Sequence, residues 1–195
     1  MKSILSALLV ALLVCGAAAH AQSTQRIRGT ITALEGNILS VKARDGTDLK
    51  LELAPNVSVG TAKALTLAEL KPGDYVGSTA VKNDAGDLVA REVHMLPATA
   101  APGHTPWDLE PGASMTNANV ATVMQGAKGR ELLLDYKTGS QRILVPEGTP
   151  IVTTVPADRS ALVVGEYVFV TAQAAEGKIT ALRVQVSKNG VRPPQ

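Results

Sequence analysis

The segment from Pro97 to Asn119 reads P-A-T-A-A-P-G-H-T-P-W-D-L-E-P-G-A-S-M-T-N-A-N. It holds the only tryptophan and four of the eleven prolines of the chain. Proline fixes φ, so a segment punctuated this way reads as a stiff connector. What it connects decides the fold, because both flanks carry the same kind of pattern.

Upstream, Arg28 to Leu34 alternates and is rich in β-branched residues. Leu39, Val41 and Ala43 face one way while Ser40 and Lys42 face the other. Leu49, Leu51 and Leu53 alternate with Lys50 and Glu52. A period of two marks half-buried strands. Asp45-Gly46 parts two of these runs, a hairpin signal because glycine accepts positive φ. Pro55-Asn56 is expected to end the third run. Leu65 to Leu70 has helical spacing and stops at Lys71-Pro72-Gly73. Two more strands are expected from Asp74 to Val81 and from Leu88 to Met95.

Downstream the order returns. Ala121–Gly126 follows Ile31–Gly36 at an offset of 90, and Leu132–Gly139 follows Leu39–Gly46 at 93. Val164–Val168 follows Pro72–Val76 at 92, and Ala181–Val186 follows Ala90–Met95 at 91. Offsets that drift by a residue or so are what loops of changing length produce between copies of one unit, so an internal duplication is expected. Sheets of five or six short strands expose their edges unless they close. The expected fold class is therefore all-β: two tandem small β-barrels of OB- or SH3-like type, 26–96 and 119–187, joined by an ordered Pro-rich linker, 97–118. A two-sheet sandwich is the alternative. Residues 188–195 read as a flexible tail.

Lys2, the apolar run Ile4–Val14 and Ala19-His20-Ala21 have the layout of a signal peptide over 1–21, cleaved near Ala21. The expected location is periplasmic or secreted. Cys15, the only cysteine, would leave with that peptide, so the remaining 174 residues would hold no disulfide. Without Lys2, 18 basic residues face 17 acidic ones, which is no electrostatic footprint for nucleic acid. No other apolar run is long enough for a transmembrane segment.

The run G-T-I-T-A-L-E-G-N-I-L-S-V-K-A-R-D-G from Gly29 to Gly46, then Leu70-Lys71-Pro72-Gly73-Asp74-Tyr75-Val76, then Ala90-Arg91-Glu92-Val93, resembles the exported bacterial domain-of-unknown-function 5666 family. The chain is similar to tandem versions with an H-x-P-W-D-L linker, here His104-Thr105-Pro106-Trp107-Asp108-Leu109. In the second repeat Val164-Gly165-Glu166 replaces the family's P-G-D, keeping the glycine of the turn. The resemblance implies export and a barrel-like repeat. It implies no activity.

Catalysis finds no constellation in the sequence: no catalytic residues are assigned and the protein is expected not to be an enzyme. There is no nucleophile elbow, no phosphate-cradling loop and no zinc-type histidine pair. The expected function is binding or scaffolding in the envelope, with an unidentified envelope partner or small ligand and no cofactor. Trp107, Asp108, His104, Tyr75 and Tyr167 are the candidates for ligand binding or for an interdomain clamp. A lone linker tryptophan reads first as a clamp, since it buries about 150–250 Å². Tyr75 and Tyr167 recur at one repeat position and read as wall aromatics or a ligand platform. The alternative function is carriage of Cu(I) or a similar soft metal ion by His104, Met115 and His94, because soft ligands suit that ion. Against it, His94 aligns with Gln185 and shares a polar strand face with Glu92, which reads as solvated. Met95 and Met124 align with Val186 and Leu34 and read as core residues.

Overall fold

The computed structural model describes residues 23–126 and 129–195. The expected signal peptide, 1–21, lies outside the described residues. In chain order the strands are β1 (Ser23–Glu35), β2 (Ile38–Ala43), β3 (Asp48–Ala64), β4 (Tyr75–Lys82), β5 (Leu88–Met95) and β6 (Gly103–Pro106). They continue with β7 (Ala113–Gly126), β8 (Gly129–Tyr136), β9 (Gly139–Leu144), β10 (Ile151–Ala157), β11 (Tyr167–Ala175) and β12 (Lys178–Val186). The fold is all-β. The helical spacing at Leu65–Leu70 amounts to one 3-10 turn, Leu67–Glu69, closed by a capping box between Thr66 and Glu69.

The predicted turns carry the hairpins. Gly46 takes φ +89°, and Asp45 Oδ1 accepts from Thr47 N at 2.9 Å. β1, β2 and β3 follow as antiparallel neighbours. The other edge of β1 is taken by β11, then β12, and β12 runs parallel to β3. The result is a small closed five-stranded barrel, β1-β2-β3-β12-β11. β4 and β5 are not in it. β4 pairs with β5 and β7, the ladder continues through β8 to β9, and β5 meets β9 in parallel at Leu88↔Ile143 and Val89↔Leu144. β10 pairs with the end of β3 on one side and with β5 on the other. One hydrogen-bonded network therefore threads the strands of both halves.

This corrects the tandem expectation. Segments 26–96 and 119–187 do not each close on themselves; the first strands of each take the last two strands of the other. Nor is 97–118 a linker between barrels, because β6 and the opening of β7 are paired strand.

The length of β3 explains the exchange. Seventeen residues at about 3.3 Å each span more than fifty ångströms, well beyond the five or six residues of an ordinary strand. Its first half, Asp48–Glu52, pairs with β2; its last, Val59–Ala64, pairs with β10. The chain is carried out of the barrel before it can turn back, which is the geometry of a swap. Pro55 does not end the strand as expected. It sits where the pairing with β12 shifts between Leu53 and Ser58, so the amide it lacks is not needed there.

The exchange is reciprocal. Tyr75 of β4 stands opposite Asn119 of β7, and Tyr167 of β11 opposite Thr30 of β1. Across β3 and β10, Ala62 faces Thr154, 92 positions on, and the register runs symmetrically about that pair. Both cores are mixed. One gathers Ile31, Leu39, Val41 and Leu51 with Val168, Val170, Val184 and Val186. The other gathers Val76, Ala80, Ala90 and Val93 with Val120, Leu132, Leu134 and Ile143.

Two further expectations change. The 188–195 segment is not loose: Lys188 and Val191 bridge, and Pro193 and Pro194 are buried. Met124 is exposed at the far end of β7 rather than in a core.

The close approach of β3 and β10 requires Gly60. A Cβ there would overlap Thr154 Cγ2 and stand 3.2 Å from Val155 O. Gly60→Ala is expected to destabilise the protein by about 1–3 kcal/mol, read as a lower denaturant midpoint. Thr154→Ser removes that methyl and should recover part of the loss in a double-mutant cycle. An unchanged midpoint in G60A would contradict the close approach.

Candidate functional site

The loop from Trp107 to Gly112 joins β6 to β7 as a tight hairpin. Trp107 N donates to Ala113 O at 2.8 Å, Ala113 N donates to Glu110 O at 3.0 Å, and Gly112 takes φ +77°. That closure holds the Trp107 and Asp108 side chains against β1. Arg26 and Arg28 are two residues apart on β1 and so share a face. The Arg26 guanidinium lies 4.2 Å from the centroid of the Trp107 ring. Arg28, buried, donates to Asp108 Oδ1 at 2.8 Å and stacks 4.9 Å over Phe169 of β11. Glu110 is bonded to Arg91 of β5. One short loop thus ties β1 to β5, as a clamp does.

Asp108 does not cap its own turn; its partners are Arg28 and Arg26, the latter at 3.8 Å. Burial pushes its carboxyl up, but the Arg28 hydrogen bond and the two guanidinium charges outweigh that and hold it below the usual aspartate value.

Behind Trp107 lies a cavity of about 540 Å³ between the two ladders. Its wall includes Gly60, Thr154, Phe169 and Gln185 on one side and His94, Met115 and Asn117 on the other. His94, Met115 and Asn117 belong to a grid across β5, β4 and β7. Glu92, Thr79 and Met115 form one row; His94, Gly77 and Asn117 form the next. Val93 points into the core, so this is the outer face of the ladder. It is nonetheless covered: Glu92 and His94 are each only 6% exposed. The solvated face expected from the sequence is a buried polar layer.

Bonding in that layer is incomplete. Glu92 accepts from the main-chain N–H of Gln195 at 2.8 Å and from Thr79 at 3.3 Å. Asn117 Nδ2 donates to Ala101 O at 3.1 Å, which leaves Oδ1 as the free acceptor. His94 Nδ1 stands 3.5 Å from Glu92 Oε1 without an aligned hydrogen bond. His94 lies over Gly77, where any side chain would collide with the imidazole.

The candidates separate into groups. Trp107, His94 and Met115 line the one cavity. His104 does not: its Nδ1 is 2.8 Å from Thr116 Oγ1, and it lines a different pocket with Lys82, Asp87 and Arg142. Thr116 and Met115 are adjacent on β7 and point to opposite faces. The set His104, Met115 and His94 therefore has no common centre, and the cation over Trp107 is Arg26. Among the described residues no three His, Cys, Asp or Glu side chains form a metal-sized group. Tyr75 and Tyr167 do the same job in each half. Tyr75 donates to Ala100 O at 2.9 Å and Tyr167 to Gln195 Oε1 at 3.1 Å, each holding the segment that follows the last strand of its repeat.

Four further residues at the site escape a reading of the sequence: Arg26, Arg28, Glu92 and Gln195. The one available signal was Gly77, a glycine inside a strand, which marks a close approach. Comparisons with family models, with curated proteins and with solved structures give no match. Among the described residues no helix is long and apolar enough to cross a membrane.

Asp108→Asn leaves the buried Arg28 without its anionic partner. Because Asp108 is 47% exposed, the loss is discounted to about 1–2 kcal/mol. Its lowered carboxyl value means that this contribution is present above the ordinary aspartate range and fades as pH falls through the folded value. Denaturant midpoints of wild type and D108N should therefore differ near neutrality and converge in acid, below the ordinary aspartate range; a difference independent of pH would refute the ion pair.

Proposed function

We propose that this chain is an exported, non-enzymatic binding protein of the periplasm, with its ligand site in the cavity behind Trp107. In this reading it is a duplicated barrel unit whose two copies have exchanged their last strands. The signal-peptide layout of 1–21 and the resemblance of Gly29–Gly46 to an exported repeat family support the location. The observation that carries the function is a cavity whose wall carries two buried, unpartnered polar atoms, His94 Nδ1 and Asn117 Oδ1. Buried polar atoms are nearly always hydrogen-bonded, so a ligand is the natural partner for these two. A volume of about 540 Å³ suits a small molecule or a few side chains. Trp107, Phe169 and Met115 supply apolar wall, and Asn117 Oδ1 supplies a free acceptor. The site therefore favours an amphipathic ligand that donates hydrogen bonds.

Phenylnaphthylamine, an apolar probe with one N–H donor, tests this. Saturable binding at one site is expected, with energy transfer from Trp107. Met115→Trp, which fills the cavity, should abolish it, and Asn117→Leu should weaken it about 5- to 10-fold through the lost acceptor. Absence of saturable binding by the folded chain would remove the reading.

A further inference from the structure

The cavity mouth already holds a peptide. Pro194 and Gln195 belong to its lining, and both main-chain groups of Gln195 are engaged. Its N–H donates to Glu92 Oε1 at 2.8 Å and lies 3.1 Å from Oε2, and its carbonyl oxygen accepts from Trp107 Nε1 at 2.9 Å. The Gln195 carboxamide oxygen accepts from Tyr167. Pro193 and Pro194 are buried, and the Arg192 guanidinium stacks 4.7 Å from the centroid of the Tyr167 ring. Three of the five aromatic residues of the chain, Trp107, Tyr167 and Phe169, meet at this one place.

Those features match the recognition of an extended proline-containing peptide. Pro194 shares the cavity lining with Trp107 and Phe169, and a donor and an acceptor read the main chain of one residue. Neither group depends on which side chain follows the prolines. Arg-Pro-Pro-Gln is a short sequence, and Glu92 is a buried carboxyl group whose contact with it is a single main-chain N–H. Pro194 and Gln195 share the cavity lining with His94 and Asn117, whose Nδ1 and Oδ1 atoms are unpartnered.

We infer that the cavity is a peptide groove for extended, basic, Pro-Pro-containing segments of a partner polypeptide, and that residues 192–195 occupy it in cis as a competitor. This rests on the binding reading above and names the ligand class of that site. The competitor is tethered, so its effective concentration is high and only a fraction of chains is open at any moment. The apparent affinity for a partner falls by that fraction. Whatever loosens 192–195 without touching the groove must therefore tighten binding in trans.

The test uses the intact chain and a fluorescent acetyl-Val-Arg-Pro-Pro-Gln peptide followed by anisotropy. The wild type should bind it weakly and saturably. Pro194→Gly, which loosens the occupant, should bind it about 5- to 10-fold more tightly, as the open fraction rises. The Trp107 indole N–H resonance of the wild type provides a second readout that no variant can spoil: it should shift as peptide replaces Gln195. A resonance unmoved at peptide excess, or P194G binding no tighter than wild type, overturns the inference. If the peptide fails while phenylnaphthylamine still binds, the peptide assignment falls and the binding reading stands; if both fail, both fall. Concentration-dependent dimerisation through exchanged 192–195 segments would make the occupant a second copy of this chain and would overturn the partner assignment.

Discussion

The long third strand is the constraint on which the rest depends. A chain that leaves the first barrel along β3 cannot return to it within the short 3-10 turn at Leu67–Glu69. β4 and β5 must find partners in the other half, and β11 and β12 fill the places they left. The junction follows from this. β3 and β10 pair about Ala62 and Thr154, and β10 lies beside β5 at Ile151↔Val93. The outer face of β5 is thereby brought against the first barrel. Without the exchange, Glu92 and His94 would face water and the cavity would not form.

Burying that polar face sets a requirement for partners, because unpaired polar groups inside a protein cost about 1–3 kcal/mol each. Glu92 is served by the 188–195 segment, Arg28 by the Trp107 loop. Both suppliers are pieces that the repeat itself does not contain, one following each copy. They act on neighbouring ground, and Trp107 touches both, stacking under Arg26 and donating to Gln195. The clamp and the cavity are accordingly one feature seen from two sides. Substitutions at Trp107 report on stability and on binding together, whereas Asn117 and Met115 report more nearly on the cavity.

Much of the fold is legible in the sequence because strands and hairpins are local. The alternation at Leu49, Leu51 and Leu53 and the turn at Asp45-Gly46 are satisfied within a few residues. Pairing choice is not local. Two copies of one unit offer interchangeable partners, so nothing in the order of β4 or β11 says which β1-like strand it will join. The decisive fact, that Pro55 does not stop β3, depends on a bulge whose existence is set by β12, more than a hundred residues away. The site shows the same division. Trp107 and Asp108 stand out as a rare residue and its neighbour, and both contribute. Glu92 and His94 carry the polar half of an alternating pattern, which ordinarily means water. Only a second layer of structure turns that meaning over, and alternation carries no record of a second layer. His104 fails as a partner of Met115 for a simpler reason, the two-residue period of β7.

Mixed cores also govern the order in which the protein can come into being. Ile31, Leu39 and Leu51 have no complete interior until Val168, Val170, Val184 and Val186 arrive. A chain growing from its amino end therefore carries β1 to β3 as an unfinished wall until β11 and β12 have been made. The first barrel cannot close ahead of β11 and β12, and a chain interrupted before β12 would leave that core open although the other core is complete by Ile151.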